Sequence, residues 1–203
     1  MALVDELEII PEKGVICIEE SSGNAKSLFA SLVSSEWGTK GRAVNYLTLR
    51  NREEIQRQIT KLRMKVPEKL HIITLSPENS AQDVISLIYE PDIPLIIIDA
   101  FAIFFSEYAF NDLYTLMFRM ISASNNGTTF LLLMDRGVMP ERNENLVRAM
   151  ADGIIEFTIV PEGDKLKHYI NIPKMGAAFP RDKMLPYTVN EEGLLIDTRE
   201  RHG

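Results

Sequence analysis

The stretch Gly14-Val15-Ile16-Cys17-Ile18-Glu19-Glu20-Ser21-Ser22-Gly23-Asn24-Ala25-Lys26-Ser27 decides the fold. Residues 14–19 form a short apolar run of strand length. A polar loop follows, and then a helix over residues 26–36, in which Leu28, Phe29, Leu32 and Val33 recur at helical spacing. Strand, polar loop and helix in that order are the setting of a phosphate-binding loop, whose pattern is G-x-x-x-x-G-K-[ST]. Lys26 and Ser27 stand at its lysine and hydroxyl positions. In such a loop the lysine neutralises β- and γ-phosphates and the hydroxyl ligates Mg²⁺. The backbone N–H groups of the loop, here Ser22, Gly23, Asn24 and Ala25, cradle the phosphates together with the helix N-terminus.

Two glycines of that pattern are absent. The first is Glu20 and the second is Ala25; Gly23 lies inside the loop. A methyl group at Ala25 narrows the approach of backbone to phosphate. Glu19 and Glu20 bring negative charge to a place meant for anions. Two unit charges about 4 Å apart interact by about 4 kcal/mol at an effective dielectric near 20, which opposes anion binding unless the carboxylate turns to solvent. The competing reading of the same residues is an ordinary helix start, with Ser22 or Asn24 as the cap and Lys26 on the surface.

Beyond the loop the chain alternates strands and helices. Residues 43–49 alternate like a strand, 52–63 are charged and helical, 71–75 form a strand and 81–89 a helix. Residues 94–99, Pro-Leu-Ile-Ile-Ile-Asp, form a continuous apolar strand covered on both faces, as in a parallel sheet. It ends in Asp99, the position of an acid that holds Mg²⁺ in phosphoryl-transfer sites. Residues 110–124 are an amphipathic helix, 128–134 an apolar strand and 144–150 a short helix. After residue 153 helices give way to strands, at 153–160, 166–172 and 185–189, with Glu162-Gly163-Asp164 as a hairpin turn. The expectation is an α/β fold with a central, mostly parallel sheet flanked by helices and antiparallel strands added at the C-terminal end. Ligands of such sheets bind outside the carboxyl ends of the strands.

A hydrolytic site needs a carboxylate near the tip of the second strand to deprotonate water. That tip carries Arg50 and Asn51, neither of which is a general base, while Glu53 and Glu54 fall on the first helical turn.

Bulk properties narrow the classes. A chain of 203 residues with 45% hydrophobic and 25% charged residues suits one domain over residues 1–203 with a core at about 14–196. A net charge of −7 argues against a dedicated nucleic-acid binder. Arg57, Lys61, Arg63, Lys65 and Lys69 cluster near one helix end and read as a solvated face. The single Cys17, in an apolar run, reads as a buried core thiol and fits a reducing cytoplasm. Residues 1–13 have the wrong charge balance for a signal peptide, and no apolar run approaches membrane-spanning length, so membrane insertion is not expected. His71, His168 and His202 show no metal-cluster spacing.

Taken together these segments resemble the RecA superfamily and, within it, KaiC-like ATPases. Ala151-Asp152-Gly153-Ile154-Ile155 is similar to the start of a KaiC strand, and Lys174-Met175 to the start of the family's K-M-R-G-T segment. Leu185-Pro186-Tyr187-Thr188-Val189 followed by Gly193-Leu194-Leu195-Ile196 resembles the family's ending. Tyr46-Leu47-Thr48-Leu49, Leu70-His71-Ile72-Ile73 and Ile97-Ile98-Asp99-Ala100-Phe101 match in order.

The resemblance implies a RecA-like P-loop NTPase fold. It places a nucleotide against Ser22, Gly23, Asn24, Ala25, Lys26 and Ser27, Mg²⁺ at Ser27 and Asp99, and a trans-acting interface residue at Lys174. The departures fall on the working parts. The family's loop glycines, its paired catalytic glutamates (here Arg50 and Asn51) and its trans-acting arginine (here Gly176) are replaced, and Met134 or Asp135 takes the place of the polar sensor.

The leading expectation is therefore a pseudo-ATPase that regulates or scaffolds a protein partner, an active paralogue or a homo-oligomer of itself; without nucleotide to cement an interface, a monomer and a dimer stay open. No catalytic residue is expected; ATP and Mg²⁺ are the only cofactors for which residues are left. The alternatives are an active ATPase with an atypical loop and a DNA-binding recombinase paralogue. The loop at residues 135–145, short and mixed in charge, gives little support to the last. Of Phe101, Phe104, Phe105, Tyr108 and Phe110, most are expected in the core.

Overall fold

A computed structural model of the chain describes residues 10–21, 23–76, 81–88, 92–176, 184–190 and 193–196. The elements run β1 (Gly14–Glu20), α1 (Ala25–Thr39), β2 (Val44–Thr48), α2 (Arg52–Lys61), β3 (Leu70–Thr74), α3 (Ala81–Ile88), β4 (Leu95–Asp99) and α4 (Phe101–Phe104). They continue with α5 (Phe110–Ser124), β5 (Thr129–Asp135), α6 (Glu141–Met150), β6 (Gly153–Glu162), β7 (Lys165–Met175), β8 (Leu185–Asn190) and β9 (Gly193–Ile196).

The strands form one sheet in the order β3-β2-β4-β5-β1-β6-β7-β8-β9. The first six in that order are parallel, and β7, β8 and β9 are added antiparallel. Both β1 and β4 are buried along their whole length, which is why each reads as an unbroken apolar run instead of an alternating one. Alternate residues of β1 feed two cores. Ile16 and Ile18 face α1 and α2 with Phe29, Val33, Ile55 and Ile59. Val15 and Cys17 face the layer of α5 and α6 with Leu113, Met117, Met120 and Val147.

The segment 151–153 has a structural task. The Asp152 carboxylate accepts the Val15 N–H at 2.8 Å, and a side chain at Gly153 would collide with Ile16 and Met175. The last strands thereby lock onto β1.

Expected boundaries shift in a few places. Helix α6 begins at Glu141, three residues earlier than the periodicity suggests, because Pro140 starts it and Glu141 and Glu144 occupy its first turn. The short α4 and strand β9 carry no periodic signal in the sequence, because four residues are too few to show a period. The hairpin turn is two residues, Gly163 and Asp164, with Gly163 at φ +62°. Phe101 and Phe105 are fully buried; Phe104, Tyr108 and Phe110 are half-buried, and Ile103 is the exposed apolar side chain of that segment.

Candidate functional site: a filled phosphate loop

The carboxyl ends of β1, β2, β4 and β5 converge on the N-terminus of α1. Because β2 lies beside β4, with Leu47 opposite Ile98, the residues just past each pairing meet: Thr48 and Arg50 from β2 and Asp99 from β4. Because β5 lies beside β1, Asp135 stands opposite Glu20.

Lys26 is buried, 5% exposed. This overturns the reading of it as a surface lysine. Its ammonium is 2.6 Å from Asp135 Oδ1 and 3.8 Å from Glu20 Oε2. Asp135, at the end of β5, is therefore the lysine's ion-pair partner.

Glu20 is 3% exposed and does not turn to solvent. Its carboxylate folds back into the loop, where Oε1 accepts the Ala25 N–H at 3.3 Å and Oε2 accepts the Lys26 N–H at 3.2 Å. Asn24 is the N-cap residue of α1, yet its side chain makes no capping hydrogen bond. Asn24 does not supply the expected side-chain cap; the Glu20 carboxylate takes the first amides of α1 in its place, and Ser22 lies outside the described residues. Gly23, at φ +132°, is the residue the loop needs, since a Cβ there would overlap the Glu20 carboxylate.

Asp99, 7% exposed, is equally engaged. Arg50 Nη2 donates to Oδ2 at 2.6 Å, and the Thr48 and Tyr46 hydroxyls donate to the same oxygen at 3.1 and 3.3 Å. The Ser27 hydroxyl donates to Oδ1 at 3.4 Å. Arg50 is itself braced by Gln58, whose Oε1 accepts from Nη1 at 2.9 Å. Desolvation, the largest single influence, pulls the Arg50 pKa down, but the charges of Asp99, Tyr46 and Glu54 and the hydrogen bond to Asp99 together outweigh it and the net shift is upward. Burial, then Asp99, raises the Tyr46 hydroxyl well above its ordinary value.

A second ionic cluster flanks the loop. Glu19, with a side chain 0% exposed, accepts from Arg148 Nε and Nη2 at 2.7 Å each and from Arg136 Nε at 3.1 Å. Arg136 also reaches Glu156 at 2.6 Å. Lys174 does not face the loop: its ammonium donates to the carbonyls of Arg148 and Ala149, at 3.3 and 2.9 Å, at the C-terminal end of α6.

A cleft of about 830 Å³ opens beside the loop, between Asn24 and Leu28 at the start of α1, Gln58 and Leu62 at the end of α2, and Val189 of β8. Arg57 and Lys61 of the expected basic cluster stand on its rim.

ATP and Mg²⁺ fit this arrangement poorly. A phosphate would have to displace the Glu20 carboxylate from the two amides. A metal ion at Ser27 and Asp99 would lie next to the Arg50 guanidinium, which already holds Asp99. Among the described residues no group of three or more His, Cys, Asp or Glu side chains is arranged to hold a metal, and no helix is long and apolar enough to cross a membrane. The positions of Glu20 and Arg50 were legible as departures from a motif. Their roles as occupants were not, although an acid in place of the first glycine and a base in place of the carboxylate are complementary to the two charges they meet.

Comparison with known proteins agrees with this geometry at the level of the fold. No family model and no curated protein matches the chain. Among solved structures, a KaiC-like protein from the hyperthermophilic archaeon Pyrococcus horikoshii superposes with a TM-score of 0.76 at 16% identity over 94% of both chains. The flagellar accessory protein FlaH from Methanocaldococcus jannaschii gives a TM-score of 0.79 at 18% identity, covering 93% of this chain and 91% of that one. The chain has a KaiC-like RecA fold, in which the Glu20 carboxylate fills the loop between β1 and α1.

Proposed function

We propose that this protein is a KaiC-like pseudo-ATPase that acts by binding, as a regulatory or scaffolding subunit for a protein partner, a paralogue or further copies of itself. The observation that carries the reading is the Arg50–Asp99 ion pair at 2.6 Å. Asp99 is the carboxylate expected to serve a metal, and a guanidinium neutralises it. The same arginine stands where hydrolysis needs a base, and a guanidinium cannot take a proton from water. Lys26, the other group with a phosphate role, is committed to Asp135.

The test is phosphate release by the purified chain with ATP and Mg²⁺. The expected result is no turnover above background, with calorimetry showing weak or no ATP binding. Turnover that is abolished by Lys26→Ala and by Asp99→Ala would sink the reading.

The cleft favours one alternative, an ATP-binding protein with an atypical loop. Its volume lies within the range of small-molecule sites, roughly 300–1,000 Å³, and it adjoins the loop. That alternative requires ATP binding at micromolar strength, which the same calorimetry reads directly.

A further inference from the structure

Glu20 stands at the first glycine position of the loop, and its carboxylate meets the groups a phosphate would meet there. Two successive amides of the first turn of α1, from Ala25 and Lys26, each donate to one of its oxygens, at 3.3 and 3.2 Å. The Lys26 ammonium lies 3.8 Å away. The loop closes over it so tightly that Gly23 admits no side chain. A buried carboxylate at the start of a helix, with its lone pairs on orphan N–H groups, is the arrangement an anion adopts there.

We propose that Glu20 is a built-in phosphate surrogate: its carboxylate occupies the anion cradle between β1 and α1 and excludes phosphate-bearing ligands. This rests on the pseudo-ATPase reading and extends it from lost catalysis to a permanently occupied site.

Charge arithmetic supports exclusion. The cradle contains one cation, Lys26, facing two carboxylates, Glu20 and Asp135. An incoming oxyanion therefore meets a local net charge of −1. A single such repulsion at about 4 Å is worth roughly a thousandfold in affinity. Tyr187 on β8 has its hydroxyl pushed up to about 12, first by burial and then by the Glu20 charge.

The experiment is thermal unfolding of the full chain with and without millimolar inorganic pyrophosphate, in buffer free of divalent cations. The wild-type midpoint should not move. Glu20→Ala should melt about 5 °C lower, because two charge-assisted hydrogen bonds are lost, and pyrophosphate should restore several degrees by occupying the vacated cradle. The double variant Glu20→Ala with Lys26→Ala should lose that restoration. If Glu20→Ala does not fold, Glu20→Ser is read in its place. Its short side chain also vacates the cradle, so it should melt lower and gain from pyrophosphate. A wild-type midpoint that rises with pyrophosphate overturns the proposal. So does a Glu20 variant that melts with the wild type, or one that ignores pyrophosphate. These outcomes are separate from the ATPase question: an unresponsive Glu20 variant removes the surrogate and leaves the pseudo-ATPase reading standing, whereas Asp99-dependent ATP turnover removes that reading itself.

Discussion

The Arg50 guanidinium, at the tip of β2, lies 2.6 Å from the Asp99 carboxylate at the end of the neighbouring β4. The pair is largely shielded, with side chains 27% and 10% exposed. Removing one partner of a buried pair strands the other charge, which costs more than the pair itself contributes. Arg50→Ala should therefore destabilise the chain by about 2 kcal/mol, less than a fully buried pair because of the partial exposure. Chemical denaturation measures it. Arg50→Lys should recover only part, since a lysine lacks the planar fork that reaches both Asp99 and Gln58. Arg50→Glu should not by itself create ATP turnover, because Glu20 still fills the loop.

How far the sequence reveals this centre depends on what kind of fact is asked for. Strand β4 is legible because four consecutive apolar residues before an acid have few other uses, and α5 because its apolar face repeats at helical spacing. The sheet's mixed character was legible from the loss of helices after Gly153. Pairing partners are a different kind of fact. Lys26 can lie on the surface or in a buried ion pair with the same neighbours in sequence, and its partner Asp135 is 109 residues away. Only the strand order, which puts β5 beside β1, brings them together. The Glu19 cluster was missed for the same reason. Arg148 and Arg136 sit on separate elements, and nothing local to Glu19 announces them.

That cluster sets an acid-side dependence of stability. Burial pushes the Glu19 carboxyl up, but Arg148 and Arg136 more than compensate, so it titrates below its ordinary value of 4.5. A carboxyl with a depressed folded pKa contributes stability that is complete above its unfolded value and is lost as pH falls through the folded one. Denaturation midpoints of the wild type should therefore decline below about pH 4.5. Glu19→Gln should be less stable at pH 7 by about 2 kcal/mol, and its deficit should shrink as the pH is lowered toward 3. A deficit that stays constant between pH 7 and pH 3 would show that the contribution is packing and not charge.

Ala100, directly after Asp99, holds a left-handed backbone conformation at φ +92° as the N-cap of α4. A Cβ in this region costs roughly 1–2 kcal/mol, whereas glycine adopts it freely. Glycine also adds unfolded-state entropy, which takes back part of the gain. Ala100→Gly should raise stability by about 0.5 kcal/mol, visible as a melting temperature one or two degrees higher. A lower melting temperature would mean that the methyl contributes more by contact than the backbone loses by strain.

Lys174 distinguishes a structural lysine from a trans-acting one. Its ammonium donates to the carbonyls of Arg148 and Ala149. These are among the last carbonyls of α6, which lack partners within the helix and carry the negative end of its dipole. Capping of this kind stabilises by about 0.5–1 kcal/mol. Lys174→Ala should lower stability by that amount and leave the sedimentation behaviour of the chain unchanged. A lysine that instead completed a neighbouring subunit's site would show the opposite pattern, with assembly or partner binding lost and the melting temperature unmoved. Measuring both properties on the one variant decides between them, because the ammonium cannot serve its own helix end and reach across an interface at once.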